Sequence, residues 1–511
     1  MKTLVLVRSG CYQDSARLMQ VSRELAALPG VAEAVAMMGT ETNRLLLAEA
    51  GFTGGALDRA TPLDMAVAIR ASSDEALEAA RAALDGLLEG TKAPGGEAVS
   101  AARRPGTVGE ALEAHPAASL VSIAVPGPYA AFVAHRALDA GRSVFLFSDN
   151  VPLADEVALK RRAVSLGLLV MGPDCGTAIL SGVGLGFANR VDRGPVGIVG
   201  ASGTGIQELS CLLDRRGVGV SHAIGTGSRD LSAEVGGAMT EASLALLARD
   251  AGTRGVLLVA KHPDTGVARR LHGVLARLGK PVAVRYLGEE GARTEDGVFY
   301  AGSLDEASEA GASWAGAPLR PAHVPTASDR ARGEAPACPS RLVGLFGGGS
   351  LAAEARRILA ARGVGTVVPP GKLSAGVPLP PGNLVVDTGD DAYTVGRPHP
   401  MVDQAVRCEL IRAAGADLSV RVLLLDLVLG DGAHPDPAPE IVRAVVDARA
   451  TRAGTPLAVV ASVCGSRRDP QGTTRQEQVL QLAGVHVEPS AALAAAEAAA
   501  LLPVVREEVA R

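Results

Sequence analysis

Two glycine-rich turns are the segments of this sequence best suited to chemistry. Gly197–Gly205 (GIVGASGTG) precedes the predicted helix Ile206–Arg216, and Gly344–Ser350 (GLFGGGS) precedes the predicted helix Leu351–Arg362. Glycine lets backbone amides converge on an anion without a side chain in the way, and a helix N-terminus adds partial positive charge. We therefore expect the two turns to hold a phosphate group. The alternative is that each is an ordinary tight turn between a strand and a helix.

The predicted phosphate-binding residues supply amide or hydroxyl donors: Ser202, Gly203, Thr204, Gly205, Gly348, Gly349 and Ser350. Neither turn contains the lysine of a Walker A loop, which argues against a magnesium nucleotide bound in that way. Lys261 ends a predicted strand and is expected to bind the substrate phosphate; the alternative is an exposed lysine without such a role.

A polar segment follows the predicted strand Leu384–Asp387 and contains Asp390, Asp391, Arg397 and His399. Parallel α/β sheets place their ligands at the carboxyl ends of strands. We therefore predict His399, Asp390 and Asp391 as catalytic residues, with His399 as acid or base, and Arg397 as a substrate-binding residue. The alternative is a turn in which Asp390 caps the backbone and His399 bonds to it. A hard metal ion held by Asp390, Asp391 and His399 is a further alternative, but no metal is assigned to the segment.

Two further side chains stand near predicted strand ends. Arg229 follows Gly225-Thr-Gly227 and is predicted as a catalytic residue that binds a substrate carboxylate, because a guanidinium binds carboxylates through two hydrogen bonds. The alternative is an ion pair with the adjacent Asp230. His434 is predicted as a substrate-binding residue that meets the His399 segment, with a plain polar loop as the alternative.

The composition excludes several classes of function. The 511 residues include 50 Lys and Arg and 55 Asp and Glu, which gives a net charge of −5. The chain therefore lacks the excess of basic residues that is typical of nucleic-acid-binding proteins. No uncharged apolar run approaches the roughly 18 residues of a membrane-spanning helix. The six cysteines are scattered and are expected to be free thiols. We expect a cytoplasmic protein that binds neither nucleic acid nor membrane.

Alternating strand and helix patterns position these segments in an α/β fold. We predict tandem doubly wound parallel-sheet domains, Rossmann-like and flavodoxin-like, after a small N-terminal α+β domain for which a ferredoxin-like arrangement is one candidate. The predicted domain boundaries are 1–95, 107–192, 193–316 and 341–511. Linker composition separates them at Thr91–Gly106 and Pro318–Ser340.

Several motifs resemble the FdrA family of acyl-CoA synthetase-like proteins over essentially the whole chain. They are Gly172–Thr177, Gly197–Glu208, Ile224–Leu231, Gly389–Asp403 and Asp426–Pro437. The two glycine turns are similar to the two phosphate-directed helices of succinyl-CoA synthetase, one from its α subunit and one from the C-terminal domain of its β subunit. The resemblance implies a CoA-binding-like domain at 107–192 and one phosphate helix in each of the two later domains.

The resemblance implies two activities, between which the departures from succinyl-CoA synthetase decide. Some FdrA proteins look like a subunit of oxamate carbamoyltransferase in ureide (allantoin) breakdown, whereas succinyl-CoA synthetase carries its phosphoryl group on a histidine in a GHAGA segment. The equivalent stretch here, Gly288–Arg293, has no histidine, and His262, in a different loop, is a poor substitute. The CoA-binding turn and an ATP-grasp region are also missing. We therefore predict a carbamoyltransferase subunit.

The predicted subunit moves a carbamoyl group between carbamoyl phosphate and an amide such as oxamate. Its expected ligand is carbamoyl phosphate or phosphate, and neither CoA nor a nucleotide is assigned as a cofactor. Further subunits and an oligomeric assembly are expected. The alternatives are a subunit of an NDP-forming acyl-CoA ligase and a non-catalytic scaffold of the same complex.

Overall fold

The computed structural model describes residues 1–11, 13, 15–89, 105–289, 291–316, 340–369, 371–374, 377–394 and 397–502. It divides into two compact units, residues 1–106 with 396–398 and residues 107–395 with 399–511. Most of the two predicted linkers, and Cys338, lie outside the described residues; the described cysteines are free thiols. Within the described ranges no helix has the length and apolar character needed to cross a bilayer.

The first unit is a small antiparallel sheet covered on both faces. Its elements are β1 (Lys2–Arg8), α1 (Ser15–Ala26), β2 (Val31–Met38), α2 (Glu41–Glu49), α3 (Gly55–Asp58), β3 (Met65–Ala71) and α4 (Asp74–Glu89), with strand order β1-β3-β2. Alternate residues of the central β3 face opposite sides, since successive side chains of a strand alternate. Val67 and Ile69 pack in one apolar cluster and Ala66 and Ala68 in another with Phe52. This is the predicted α+β domain.

The second unit begins with a short parallel sheet in the order β4-β5-β6. Its elements are α5 (Val108–Ala114), β4 (Leu120–Ile123), α6 (Gly127–Asp139), β5 (Ser143–Leu146), α7 (Leu153–Leu166) and β6 (Val170–Met171). The ribbon that follows, β7 (Thr177–Leu180) and β8 (Val183–Gly186), joins the next sheet, because Ile179 of β7 pairs with Ala223. The sheets therefore change near Gly176, ahead of the predicted boundary at residue 192.

The next sheet has a parallel centre and antiparallel edges. Its further elements are β9 (Arg193–Ala201), α8 (Gly203–Arg215), β10 (Val220–Gly225), α9 (Ala238–Arg249), β11 (Gly255–Ala260), α10 (Thr265–Leu275), β12 (Val282–Tyr286), β13 (Arg293–Glu295), β14 (Val298–Tyr300) and α11 (Leu304–Trp314). The strand order is β13-β14-β12-β11-β9-β10-β7-β8. The central position of β9 places the turn before α8 in the middle of the carboxyl edge.

The C-terminal sheet is parallel throughout, in the order β16-β17-β15-β18-β19-β20. Its elements are β15 (Arg341–Phe346), α12 (Gly349–Ala361), β16 (Thr366–Val367), β17 (Asn383–Asp387), α13 (Asp391–Thr394), α14 (Ala405–Ala416), β18 (Val420–Val428), α15 (Pro437–Ala450), β19 (Ala458–Cys464), α16 (Thr473–Leu482), β20 (His486–Glu488) and α17 (Ala491–Ala500). Together with the preceding sheets this confirms the predicted α/β class.

A shared apolar core joins these two larger sheets. It contains Ile206 and Leu209 of α8 together with Leu351 and Ala355 of α12, all buried. Burial of apolar area is the main favourable term in such packing. The shared core therefore holds the two predicted phosphate helices side by side.

Candidate functional site

The N-termini of α8 and α12 meet at one point. The Ser202 hydroxyl, which caps α8 by accepting a hydrogen bond from the Gly205 amide at 3.1 Å, also bonds to the Ser350 hydroxyl. The Ser350 amide donates to Thr204 Oγ1 at 3.3 Å. Because each helix contributes partial positive charge at its N-terminus, the two fields add here.

Two of the glycines are required by close approach. A Cβ on Gly205 would stand 2.5 Å from Ser202 Oγ, and one on Gly349 would overlap Asp387 Oδ2. A Cβ on Gly203 would meet only Thr177 Oγ1, at 3.6 Å. Gly203 therefore borders open space, and its amide, like that of Thr204, lies in the first helical turn and has no acceptor within the helix.

A buried carboxylate occupies part of the second turn. Asp426, at the end of β18, accepts hydrogen bonds from the amides of Gly347 at 2.7 Å and Gly348 at 2.8 Å, and its carboxylate lies 3.1 Å from the Arg407 guanidinium. Burial raises the pKa of Asp426 against the opposing effect of Arg407. The Gly348 amide, predicted as a phosphate donor, thus donates to Asp426 instead. Gly349, the first residue of α12, does not contact Asp426 in this way.

Lys261 and Asp387 lie beside Gly349, the first residue of α12. Lys261 is exposed just after β11, and its Nζ lies 3.5 Å from the position of a Cβ on Gly349. Asp387, the last residue of β17, accepts a hydrogen bond from the Gly389 amide at 2.9 Å. Burial raises the pKa of Asp387 to about 6, although Lys261 acts in the opposite direction. Sequence reasoning missed Asp387, even though its place at the end of a buried strand marks it.

His399 is held in its neutral form. Its Nδ1 accepts a hydrogen bond from the Met401 amide at 3.2 Å, which leaves the proton on Nε2. Burial, aided by the positive charge of Arg407, lowers the pKa of His399 to about 4. Nε2 lies 2.7 Å from the position of a Cβ on Gly389, next to Asp387. The ring therefore stays neutral at pH 6.5, because it is buried beside a cation.

The two acidic residues predicted beside His399 lie further out. Asp390 is exposed, and its Oδ1 accepts a hydrogen bond from the Ala392 amide at 3.0 Å, which caps the short helix α13. Asp391 is exposed in the first turn of that helix, and Arg397 is exposed as well. The capping geometry of Asp390 matches the alternative considered for it.

His434 bonds to residues at the start of α15. It is buried, its Nδ1 accepts a hydrogen bond from the Asp436 amide at 3.0 Å, and its Nε2 lies 3.2 Å from Glu440 Oε1. Its amide donates to the Met401 carbonyl at 2.7 Å, so the two predicted loops meet through their backbones. The imidazole itself is engaged in local contacts.

The guanidinium of Arg229 is engaged away from the helix N-termini. Its Nε lies 2.8 Å from Glu156 Oε2, and its Nη2 donates to the Val151 carbonyl at 2.7 Å. The considered pairing with Asp230 is absent from the ion pairs of the described residues, because Asp230 pairs with the buried Lys160 at 2.9 Å. The motif Ile224–Leu231 thus builds a buried ion cluster, as burial of charge requires pairing.

Comparison with known proteins matches both ends of the chain to families. "AllF, heavy metal-associated domain" matches residues 1–105, and "CoA-ligase" matches residues 345–501. YahF, an uncharacterized protein of Escherichia coli (strain K12), is 35% identical over 497 residues, which is 95% of this chain and 96% of YahF. The chain belongs to the FdrA-like acyl-CoA synthetase family. The resemblance predicted from the motifs is therefore confirmed.

Solved structures with some similarity to this family member include two CoA-dependent enzymes. The dinucleotide-forming acetyl-coenzyme A synthetase 1 of Ca. Korarchaeum cryptofilum, in complex with phosphate and ADP, is 17% identical with a TM-score of 0.32 and covers 75% of this chain and 82% of its own. ATP citrate lyase from Methanothrix soehngenii, in complex with citrate and coenzyme A, is 15% identical with a TM-score of 0.34, covering 61% and 56%. Such scores are too low for residues to be transferred between the chains.

The CoA-ligase match overturns the predicted activity. The prediction of a carbamoyltransferase subunit acting on oxamate is wrong, because the second helix turn and the His399 segment lie in a domain of the CoA-ligase family. The prediction rested on the missing histidine of Gly288–Arg293. In the fold a histidine from another loop reaches this segment, since a Cβ on Gly288 would overlap His262 Nε2.

A heavy metal, implied by the name of the N-terminal family, does not fit the residues present. Residues 1–105 contain one cysteine, Cys11, and no histidine. Soft and borderline metals are held by several thiolates or imidazoles. Throughout the described part of the chain, no group of three or more His, Cys, Asp or Glu side chains is placed to hold a metal ion.

The first turn of the 107–192 region, where the resemblance implies CoA binding, is closely packed. A Cβ on Gly127, where β4 leads into α6, would overlap the carbonyl oxygens of Asp149 and Asn150. Rossmann-like folds hold a diphosphate near such a turn, where glycine lets the backbone approach closely.

Proposed function

We propose that the chain is the phosphate-handling subunit of an NDP-forming acyl-CoA synthetase (acid–CoA ligase). The observation that supports this most directly is the meeting of two helix N-termini through Ser202 and Ser350. The CoA-ligase match of residues 345–501 supports the reaction class. Further subunits in an oligomeric assembly form part of the same proposal.

The proposed chemistry centres on an acyl phosphate, whose phosphate is the leaving group. The amides of Gly203, Thr204 and Gly349, in the first turns of their helices, donate to the phosphate oxygens, and Lys261 supplies a full positive charge. Fixed donors of this kind stabilise the charge that grows on the phosphate as its bond to the acyl group breaks. His399 contributes a neutral N–H donor on the Asp387 side.

Calorimetric titration of the purified protein with inorganic phosphate tests the proposal. Gly203→Asp adds a negative charge at the tip of α8, where its Cβ has room and an acidic first-turn residue favours the helix. We expect phosphate affinity to fall at least about tenfold, since like charges in contact repel by more than 1 kcal/mol. Gly109→Asp, in the first turn of α5, is the matched control and leaves affinity unchanged.

An activity readout accompanies the titration. Acyl-CoA thioesters incubated with phosphate should release free thiol as acyl phosphate forms, and Gly203→Asp should suppress this release. Wild-type protein that binds no phosphate, or a Gly203→Asp variant with undiminished affinity and thiol release, would overturn the proposal.

A further inference from the structure

Asp387 presents an uncommitted carboxylate oxygen to the proposed phosphate site. Its Oδ1 accepts the Gly389 amide, while its Oδ2 makes no hydrogen bond to any described residue. Oδ2 lies directly against Gly349, the first residue of α12, because a Cβ on that residue would overlap it. A phosphate held by the two helix N-termini therefore has a carboxylate as its neighbour.

The groups around Asp387 do not neutralise it fully. The charged and titratable side chains around Asp387 come from the loop after β11, from α12, β18 and α13, and from its own loop. They are Lys261, Arg356, Asp426, Tyr393, Asp390 and His399. The two cations face two further carboxylates, and His399 is neutral. Burial accordingly holds the pKa of Asp387 near 6, so the carboxyl takes up a proton in mildly acidic solution.

A carboxylate beside a bound oxyanion is tolerated only where a proton lies between them. Two negative oxygens in contact repel, whereas one proton shared between them makes a strong charge-assisted hydrogen bond. Inorganic phosphate carries such a proton near neutral pH, and sulfate does not. A site with this carboxylate thus distinguishes two anions of the same shape and nearly the same size.

We propose that Asp387 makes the site selective for inorganic phosphate, which brings a proton of its own, over sulfate, which does not. The inference rests on the proposed phosphate-binding function and deepens it. Asp387 is then a specificity-determining residue: it accepts a hydrogen bond from the P–OH group while the helix amides and Lys261 bind the other oxygens.

Titration calorimetry with phosphate and with sulfate, from pH 5 to pH 8, tests the inference on the full chain. We expect the wild type to bind phosphate about 100-fold more tightly than sulfate at pH 7.5, from like-charge repulsion of sulfate. Its sulfate affinity should rise as pH falls below about 6, because Asp387 becomes neutral. Asp387→Asn keeps the acceptor for the Gly389 amide and offers an N–H to either anion, so its preference should shrink to less than about tenfold and lose its pH dependence.

Asp403→Asn is the matched control. It removes one negative charge from the same segment, and its side chain still accepts the Ala405 amide, so we expect the wild-type preference. An Asp387→Asn variant that retains the full preference, or a wild type that binds sulfate and phosphate equally, would overturn the inference alone. A wild type that binds neither anion would overturn the proposed function together with it.

Discussion

At the scale of single residues, burial shifts two neighbouring groups toward their neutral forms. Asp387 is protonated more readily than a free aspartate and His399 less readily than a free histidine. Both shifts have the same physical cause, since low dielectric surroundings disfavour charge of either sign. His399 therefore enters the proposed chemistry as a hydrogen-bond donor through Nε2, rather than as a group that titrates near neutrality.

We predict that His399→Ala lowers turnover by about 10²–10³-fold, the usual loss for one donor to a developing oxyanion. His399→Gln, whose amide still donates, should retain more activity than the alanine variant. The wild-type pH–rate profile should show no limb near 6.5 that the variants lack. Equal activity of the alanine and glutamine variants would contradict the donor role.

The lowered pKa of His399 predicts how the free energy of unfolding changes with pH. Above pH 6.5 both folded and unfolded His399 are neutral; between 6.5 and about 4 only the unfolded state takes up the proton. The free energy of unfolding should therefore fall with decreasing pH in this window, by up to about 3 kcal/mol. Asp387 has the opposite effect, because its raised pKa makes the protein less stable as pH rises toward 6. The contribution of His399 is therefore isolated by comparing the wild type with His399→Gln in urea unfolding. Parallel pH curves for the two proteins would contradict the prediction.

At the scale of elements, a side chain from one strand caps the helix that follows another. Asp426 at the end of β18 accepts the amides of Gly347 and Gly348 and pairs with Arg407 of α14. This arrangement anchors the turn before α12 to the neighbouring strand and to α14. Gly349 of this turn is required by close approach, because a Cβ there would overlap Asp387 Oδ2.

We predict that Asp426→Ala destabilises the protein by about 3–5 kcal/mol, because it leaves the buried Arg407 charge without its partner. The double variant Asp426→Ala with Arg407→Met should be closer to wild type, since no unpaired charge remains buried. Chemical denaturation of the single and double variants measures both effects. A double variant less stable than Asp426→Ala would contradict this account of the pair.

At the scale of the whole second unit, packing between two sheets sets the distance between α8 and α12. Besides the shared apolar core, Arg285 of β12 and Glu354 of α12 form a fully buried pair at 3.2 Å, and Glu354 also accepts the Leu304 amide at 2.6 Å. These contacts connect one sheet to a helix of the other. The proposed phosphate site thus depends on two domains at once.

We predict that Glu354→Ala destabilises the protein by about 3–5 kcal/mol and weakens phosphate binding, because the orientation of α12 loses its buried anchor. Glu241→Ala, which breaks the exposed pair with Arg270 (2.7 Å), is the control and should cost less than about 1 kcal/mol. Urea unfolding and phosphate titration of both variants provide the comparison. Similar losses in the two variants would contradict a special role for the buried pair.

The sequence by itself determined the α/β class, the N-terminal α+β domain, the family and the two glycine turns before helices. These features depend on periodicity and on neighbours along the chain, which a sequence displays directly. The activity predicted from it was wrong, because residues 345–501 match the CoA-ligase family. The prediction had set His262 aside as lying in a different loop, whereas in the fold this histidine borders Gly288. His262 reaches Gly288 only through the pairing of β11 with β12.

Only the tertiary structure decided which polar groups are available to a ligand. In the fold, Arg229 pairs with Glu156, the Gly348 amide donates to Asp426, and Asp387 contacts Gly349. Each of these contacts joins residues far apart in the chain, and their geometry follows from how sheets and helices pack. A motif shows which groups are present, whereas packing decides which of them already make hydrogen bonds within the protein.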